Sequence, residues 1–141
     1  MPAPVVVDTN VLFAGLWSRE GASFRMLELI AKGRIRPALS VPLVLEYEMV
    51  LKRAARQLSL AMDEIDAILD YLCAVGHHQM IHFLWRPTLR DPRDELVLEL
   101  AVAAGSRFIV THNVDDFGGA ETFGVAAISP AEYLRRIGVR S

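Results

Sequence analysis

Apolar and polar positions along the chain fall into two alternating rhythms. Short, nearly unbroken apolar runs at Val5 to Val7, residues 37 to 41, His78 to Phe83, Arg107 to Thr111 and Val125 to Ile128 read as buried strands. Between them lie longer stretches with helical spacing. Phe24 to Ala31 predicts a helix with Ser23 as N-cap and Gly33 past its end, and Pro42 suits the first turn of a helix running to about Arg56. From Ser59 to Val75 the apolar Met62, Ile65, Leu69 and Leu72 recur at helical intervals while Asp63, Asp66 and Asp70 face away. The stretch DPRDELVLELAVAAG is bounded at both ends, with Asp91 as cap, Pro92 at the first position and Gly105 as stop. SPAEYLRRIG repeats that grammar with Ser129, Pro130, Glu132 closing a capping box, and Gly138. Strands alternating with helices imply an α/β fold whose parallel sheet is covered on both faces. In such sheets the side chains that act on ligands gather at the carboxyl ends of the strands.

Against this pattern a few acids are out of place. The first strand runs into VVVDTNVL, where Asp8, Thr9 and Asn10 interrupt an apolar run at the edge where sites are built. Asp8 alone could simply cap a turn, with Thr9 and Asn10 hydrogen-bonding that turn. Glu46 is harder to dismiss. In the helix from Pro42 the core face is Leu43, Tyr47, Val50 and Ala54, and Glu46 falls on or beside it, whereas Glu48 can pair with Lys52 four residues on. An acid bordering an apolar face is costly unless it is paired or bound to a cation. Asp94 lies in the first turn of the helix capped by Asp91, where the helix dipole explains it, and Glu95, without any ligand. That helix nevertheless starts at the same sheet edge as Asp8. After the fourth strand, THNVDDFGG crowds Thr111, His112, Asn113, Asp115 and Asp116 around a turn, and Asn113 or Asp116 could complete an acidic cluster. Carboxylates converging at one edge repel one another unless a cation sits among them, and oxygen-only ligation suits magnesium or manganese rather than zinc. Such a site can hydrolyse a phosphodiester.

Composition narrows the classes further. The 141 residues suffice for one domain, 1–141, with a real core; 52% are apolar, 23% charged, and the formal net charge is −2. That charge argues against a protein that holds nucleic acid by its overall field and leaves room for a local basic patch. Only Lys32 and Lys52 of the fifteen basic residues are lysines, and arginine suits phosphate contacts. Arg19 and Arg25, after the first strand, are candidates to hold a nucleic-acid backbone, with His112 beside the site. No apolar run reaches the roughly 18 residues of a membrane span, and Asp8 falls where a signal peptide would need an uncharged core. A lone cysteine, Cys73, excludes an internal disulfide and fits a reducing cytoplasm. His77, His78 and His82 lack metal-ligand spacing and read as structural or surface residues. A P-loop is absent. Asn10 stands where a phosphatase with an aspartyl nucleophile would want a second acid.

The order and spacing of VVVDTNVL, SVPLVLEYEMVLKR, DPRDELVLELAVAAGSRFIVT and THNVDDF resemble a PIN-domain ribonuclease, most closely the group of toxin components of toxin–antitoxin pairs related to VapC. The resemblance implies a three-layer α/β/α sandwich around a central, mostly parallel sheet of about five strands. It also implies a metal-dependent endoribonuclease that cleaves single-stranded RNA with Mg2+ or Mn2+, partnered by a small antitoxin and commonly dimeric. Carried over position by position, the family's three most regular acids fall on Asp8, Glu46 and Asp94. Thr9 and Asn10 match its polar pair, and Thr111 its hydroxyl residue after strand four. At the family's fourth acid this chain has Asn113, with Asp116 nearby, which bears on whether one metal or two are held. The alternative is a PIN-like module that binds RNA or a protein partner with weak catalysis or none.

Overall fold

The computed structural model describes residues 2–81, 89 and 91–139. Five strands, β1 (Pro4–Val7), β2 (Arg36–Leu39), β3 (His77–His78), β4 (Phe108–Val110) and β5 (Ala126–Ile128), form one sheet in the order β3-β2-β1-β4-β5. Every neighbouring pair is parallel, so the sheet is wholly parallel rather than mostly so. Helices α1 (Thr9–Trp17), α2 (Ala22–Ala31), α3 (Val41–Arg53), α4 (Ala55–Leu58), α5 (Met62–Val75), α6 (Pro92–Ala104) and α7 (Pro130–Arg136) flank it in a three-layer α/β/α arrangement. The order reverses direction between β1 and β4, because β2 and β3 extend to one side of β1 while β4 and β5 extend to the other. A crevice at the carboxyl ends of the strands is expected at such a reversal.

The core follows from the apolar runs. Val5, Val6 and Val7 of β1, Ala38 and Leu39 of β2, and Ile109 and Val110 of β4 are all buried. On them pack Leu43, Tyr47 and Leu51 of α3, Ile65, Leu69 and Leu72 of α5, and Val97, Leu98, Leu100 and Ala101 of α6. Gly15 lets α1 and α2 approach closely: a Cβ there would lie 2.6 Å from Leu27 Cδ1 and 2.9 Å from the Ser23 carbonyl.

Helix ends obey local chemistry in most places. Asp91 accepts from Arg93 N–H with Pro92 at the start of α6, and Gly105 at φ 67° closes it. Ser129 accepts from Glu132 N–H, but the Glu132 carboxylate turns to Arg135 and Arg136, so only half of the capping box forms. Several boundaries differ from expectation. The helix α1, which directly follows Asp8, was not anticipated, because seven of its nine residues (TNVLFAGLW) are apolar or glycine and show no one-sided pattern. Ser23 lies inside α2, whose cap is Gly21. The second strand ends at Leu39 so that Ser40 can cap α3, its side chain accepting from Leu43 N–H. Ser59 adopts a left-handed φ of 57° and closes α4, which delays the next helix to Met62 and leaves Met62 exposed. The third strand covers His77 and His78 only, and Phe83 and His82 lie outside the described residues. No described helix is long and apolar enough to cross a membrane.

Candidate active site

At the reversal between β1 and β4 a cleft of about 360 Å³ is lined by Asp8, Thr9, Asn10, Glu46, Asp94 and Asp116, together with Phe13, Val50, Asp91, Arg93 and Asn113. The four acids singled out by sequence arrive from four different elements. Asp8 follows β1 directly; its backbone N–H donates to Val110 O at 2.9 Å, extending the β1–β4 ladder by one bond. It is also the N-cap of α1, with Oδ1 accepting from Thr9 N–H at 2.8 Å. Its other oxygen accepts from the Thr111 hydroxyl at 2.8 Å and lies 3.4 Å from Asn10 Nδ2. Thr111 follows β4 and is fully buried, so the two central strands clamp this carboxylate between them.

Glu46 is brought to Asp8 by its neighbour Tyr47. The buried Tyr47 hydroxyl donates to Val7 O, tying α3 to the end of β1, and the Thr9 hydroxyl donates to Glu46 Oε2. Thr9 and Asn10 therefore serve the acids and not merely a turn. Asn10 reaches Thr111 Oγ1 at 3.4 Å and accepts from His112 N–H at 3.2 Å, which ties the β1 exit to the β4 exit. Asp94 comes from the first turn of α6, a helix that packs across β1, β2 and β4. Asp116 belongs to a short 3-10 turn, Val114–Phe117, after β4. Asn113 donates its backbone N–H to Thr111 Oγ1 at 3.0 Å.

The electrostatics of this cleft are those of crowded carboxylates. Burial pushes Asp8 above the usual carboxylate range, against the lowering effect of the Thr111 and Thr9 hydrogen bonds, and the charge of Asp116 adds to the rise. Burial likewise pushes Asp94 up, to about 6, with further upward contributions from Asp91, Asp8 and Asp116. Buried beside Asp8 and Glu46, the Tyr47 hydroxyl is held well above its ordinary range and so stays a donor. Apart from Arg93, every ionisable side chain lining the cleft is a carboxylate, and oxygen is the donor atom of a hard divalent cation. Among the described residues, however, no group of three or more His, Cys, Asp or Glu side chains stands ready as a metal cage. The carboxylates of Asp8 and Glu46 are engaged by hydroxyl and backbone donors instead.

Other expectations fare unevenly. Arg25 is paired with Glu28 at 3.5 Å, whereas Arg19 is exposed on the loop between α1 and α2. His112 Nε2 lies 2.8 Å from Ser23 Oγ, which explains why Ser23 is buried inside α2 rather than capping it. Glu95 is buried, not a solvated first-turn acid, and accepts from Leu89 N–H. His77 and His78 make local contacts to Gln79 Oε1 and the Cys73 carbonyl, in keeping with structural roles. Glu48 pairs with Lys52 at 3.0 Å, and Lys52 also reaches Asp66 of α5 at 2.8 Å. Four cleft residues were missed: the apolar Phe13 and Val50, and two charged ones. Asp91 and Arg93 line it, and the only available signal was that they flank Pro92 at the sheet edge shared with Asp94.

Fold and cleft together define an α/β protein with an acidic, oxygen-rich site at the topological switch point of a parallel sheet. Residues 4–115 match the PIN domain, and the chain belongs to the PIN-domain family. PIN domains are generally nucleases, hydrolases that act on nucleic acid and use divalent metal ions. The match takes in Asp8, Glu46, Asp94, Thr111 and Asn113 and stops one residue short of Asp116. No curated protein matches the chain.

Proposed function

We propose that this chain, as one PIN unit over 1–141, is an endoribonuclease that hydrolyses single-stranded RNA with magnesium or manganese held by Asp8, Glu46 and Asp94, with Asp116 in support. The observation that carries the reading is the convergence of four acids from four separate elements on one cleft, with Asp8 and Asp94 both pushed upward by burial and by neighbouring negative charge. Such crowding destabilises the metal-free protein, and a divalent cation would relieve it. When bound, that cation supplies positive charge to acidify a water and to offset charge developing on a phosphodiester. The chain's own part is positioning. Thr111 and the Thr9 backbone aim the Asp8 carboxylate, the Thr9 hydroxyl and Tyr47 aim Glu46, and the α6 N-terminus presents Asp94. Arg93, at the rim beside Glu46 and Asp94, adds one positive charge near the phosphate path.

The test is cleavage of a single-stranded RNA with and without added Mg2+ or Mn2+ by wild type and by Asp8→Asn. Metal-dependent cutting that falls roughly 100-fold or more in the variant is expected; equal cutting by both would defeat the assignment. The finer reading is a toxin restrained by a small antitoxin, acting as a homodimer in the cytoplasm, and it rests on the motif resemblance to VapC-related toxins. A second reading is favoured by one observation: Asn113 brings an uncharged amide to the cleft. On that reading the protein binds RNA or a protein partner without cutting, and calorimetry would find no carboxylate-dependent affinity for the cation.

A further inference from the structure

The cleft continues outward along one face of α1. Thr9, Phe13 and Trp17 are spaced four residues apart, so they stack above one another on that face, each about 6 Å further along the helix axis. Thr9 and Phe13 line the acidic cleft itself. Trp17 lies over Phe13 with ring centroids 6.0 Å apart and planes only 16° from parallel, and it leaves 54% of its surface exposed. An exposed indole on the last turn of a helix gains little from burial, yet here it extends an aromatic surface that begins beside the carboxylates. Arg19 follows two residues later, exposed and, among the described residues, in no ion pair.

We propose that Phe13 and Trp17 form a stacking shelf for an unpaired nucleobase of the substrate strand, adjacent to the cleft, with Arg19 placed to meet the strand's phosphate backbone. The inference rests on the nuclease reading of the cleft. It goes further by assigning a base-binding subsite and by explaining a requirement for single strands. A base can lie flat on an aromatic ring only when it is not held in a duplex, and stacking tolerates any base because every base has a π-face. The carboxylates alone supply no such selection, since a phosphodiester is the same in both forms. The shelf's continuity with the cleft is what favours a nucleic-acid strand over a protein as its occupant.

The experiment uses the full chain, a short single-stranded oligoadenylate, and the same strand carrying one abasic position at each site in turn. Tryptophan fluorescence should be quenched on binding, and the quench should vanish in Trp17→Phe, which separates Trp17 from Trp85. Trp17→Ala should weaken binding of the intact strand by roughly 5- to 100-fold. Trp17→Phe should restore most of that affinity. One of the abasic strands should bind wild type as weakly as the intact strand binds Trp17→Ala. Unchanged affinity in Trp17→Ala would overturn the proposal, as would equal weakening for every abasic strand. A change in oligomeric state on size-exclusion chromatography, with RNA affinity intact, would also overturn it and assign the shelf to a protein contact. Measurement by binding keeps the two readings apart. Quenching without cleavage would sink the nuclease reading and leave the shelf, whereas cleavage that ignores Trp17 would do the reverse.

Discussion

Two aspartates hold the same place in the local grammar of the chain and end in opposite electrostatic states. Asp8 caps α1 by accepting from Thr9 N–H, and Asp91 caps α6 by accepting from Arg93 N–H at 2.9 Å. A cap of this kind stabilises the charged carboxylate and should lower its pKa. At Asp91 it does, helped by the Arg93 guanidinium at 3.3 Å. Asp8 also receives a backbone bond, from the next residue rather than the second, and a further one from the Thr111 hydroxyl, yet is pushed upward, because burial outweighs both and Asp116 adds its charge. The helix end determines that an acid is present. Depth and the company of other acids determine what that acid can do.

The contrast is broken or sharpened most directly in activity. Asp8→Asn should cost roughly 100-fold or more in metal-dependent cleavage, while Asp91→Asn, which leaves an equally good cap, should stay within about threefold. Comparable losses in the two variants would mean that the cap positions are functionally alike and that the deeper site is not special. Next in size is Thr111→Val. It removes the hydroxyl that donates to Asp8 and accepts from Asn113 N–H, and should cost about 1–3 kcal/mol in chemical denaturation. It should also push Asp8 further upward, so that cation binding begins at a higher pH than in wild type.

A third measurement is pH dependence. Asp94 is held at about 6, above its ordinary value, so the folded state binds its proton more tightly than the unfolded chain does. Its contribution to stability is complete below about pH 4 and is lost as pH rises through 6. The thermal midpoint of metal-free protein should therefore carry a downward component from Asp94 between about pH 4 and 6, and Asp94→Asn should remove that component. Cation affinity should rise somewhat higher, between about pH 5 and 7, as Asp94 loses its proton in the folded protein. An identical pH profile in wild type and Asp94→Asn would refute the account. The smallest effect is expected for Asp91→Asn on stability, within about 0.5 kcal/mol by thermal melting.

Much of the architecture was legible because its signals are local. The Pro92 and Gly105 boundaries of α6, the Ser129 cap of α7 and the apolar runs of β1 and β4 each depend on a few adjacent residues, and those same runs in alternation with helices imply a parallel sheet. Where one-sided patterning was absent, reading failed: α1 is apolar on nearly every side and hides behind the strand it follows. Ser23 reads as a helix cap and Ser59 as the start of a stretch with helical spacing. Ser23 instead meets His112 from across the fold, and Ser59 turns the chain after α4.

The site divides along the same line. Asp8 and Glu46 were legible as candidates because an acid at a strand exit or beside an apolar face is visible without coordinates, whereas Asp94, which the helix dipole already explains, and the departure at Asn113 came from the resemblance in motif order. Their meeting is a tertiary fact. Tyr47 reaching Val7, Thr111 reaching Asp8 across 103 positions, and Asp116 turning toward the cleft all join residues distant in the chain or on different elements. So does the burial that separates Asp8 from Asp91. Helix caps and strand runs are encoded within a few residues, whereas desolvation and the repulsion among carboxylates exist only once separate segments share one low-dielectric space.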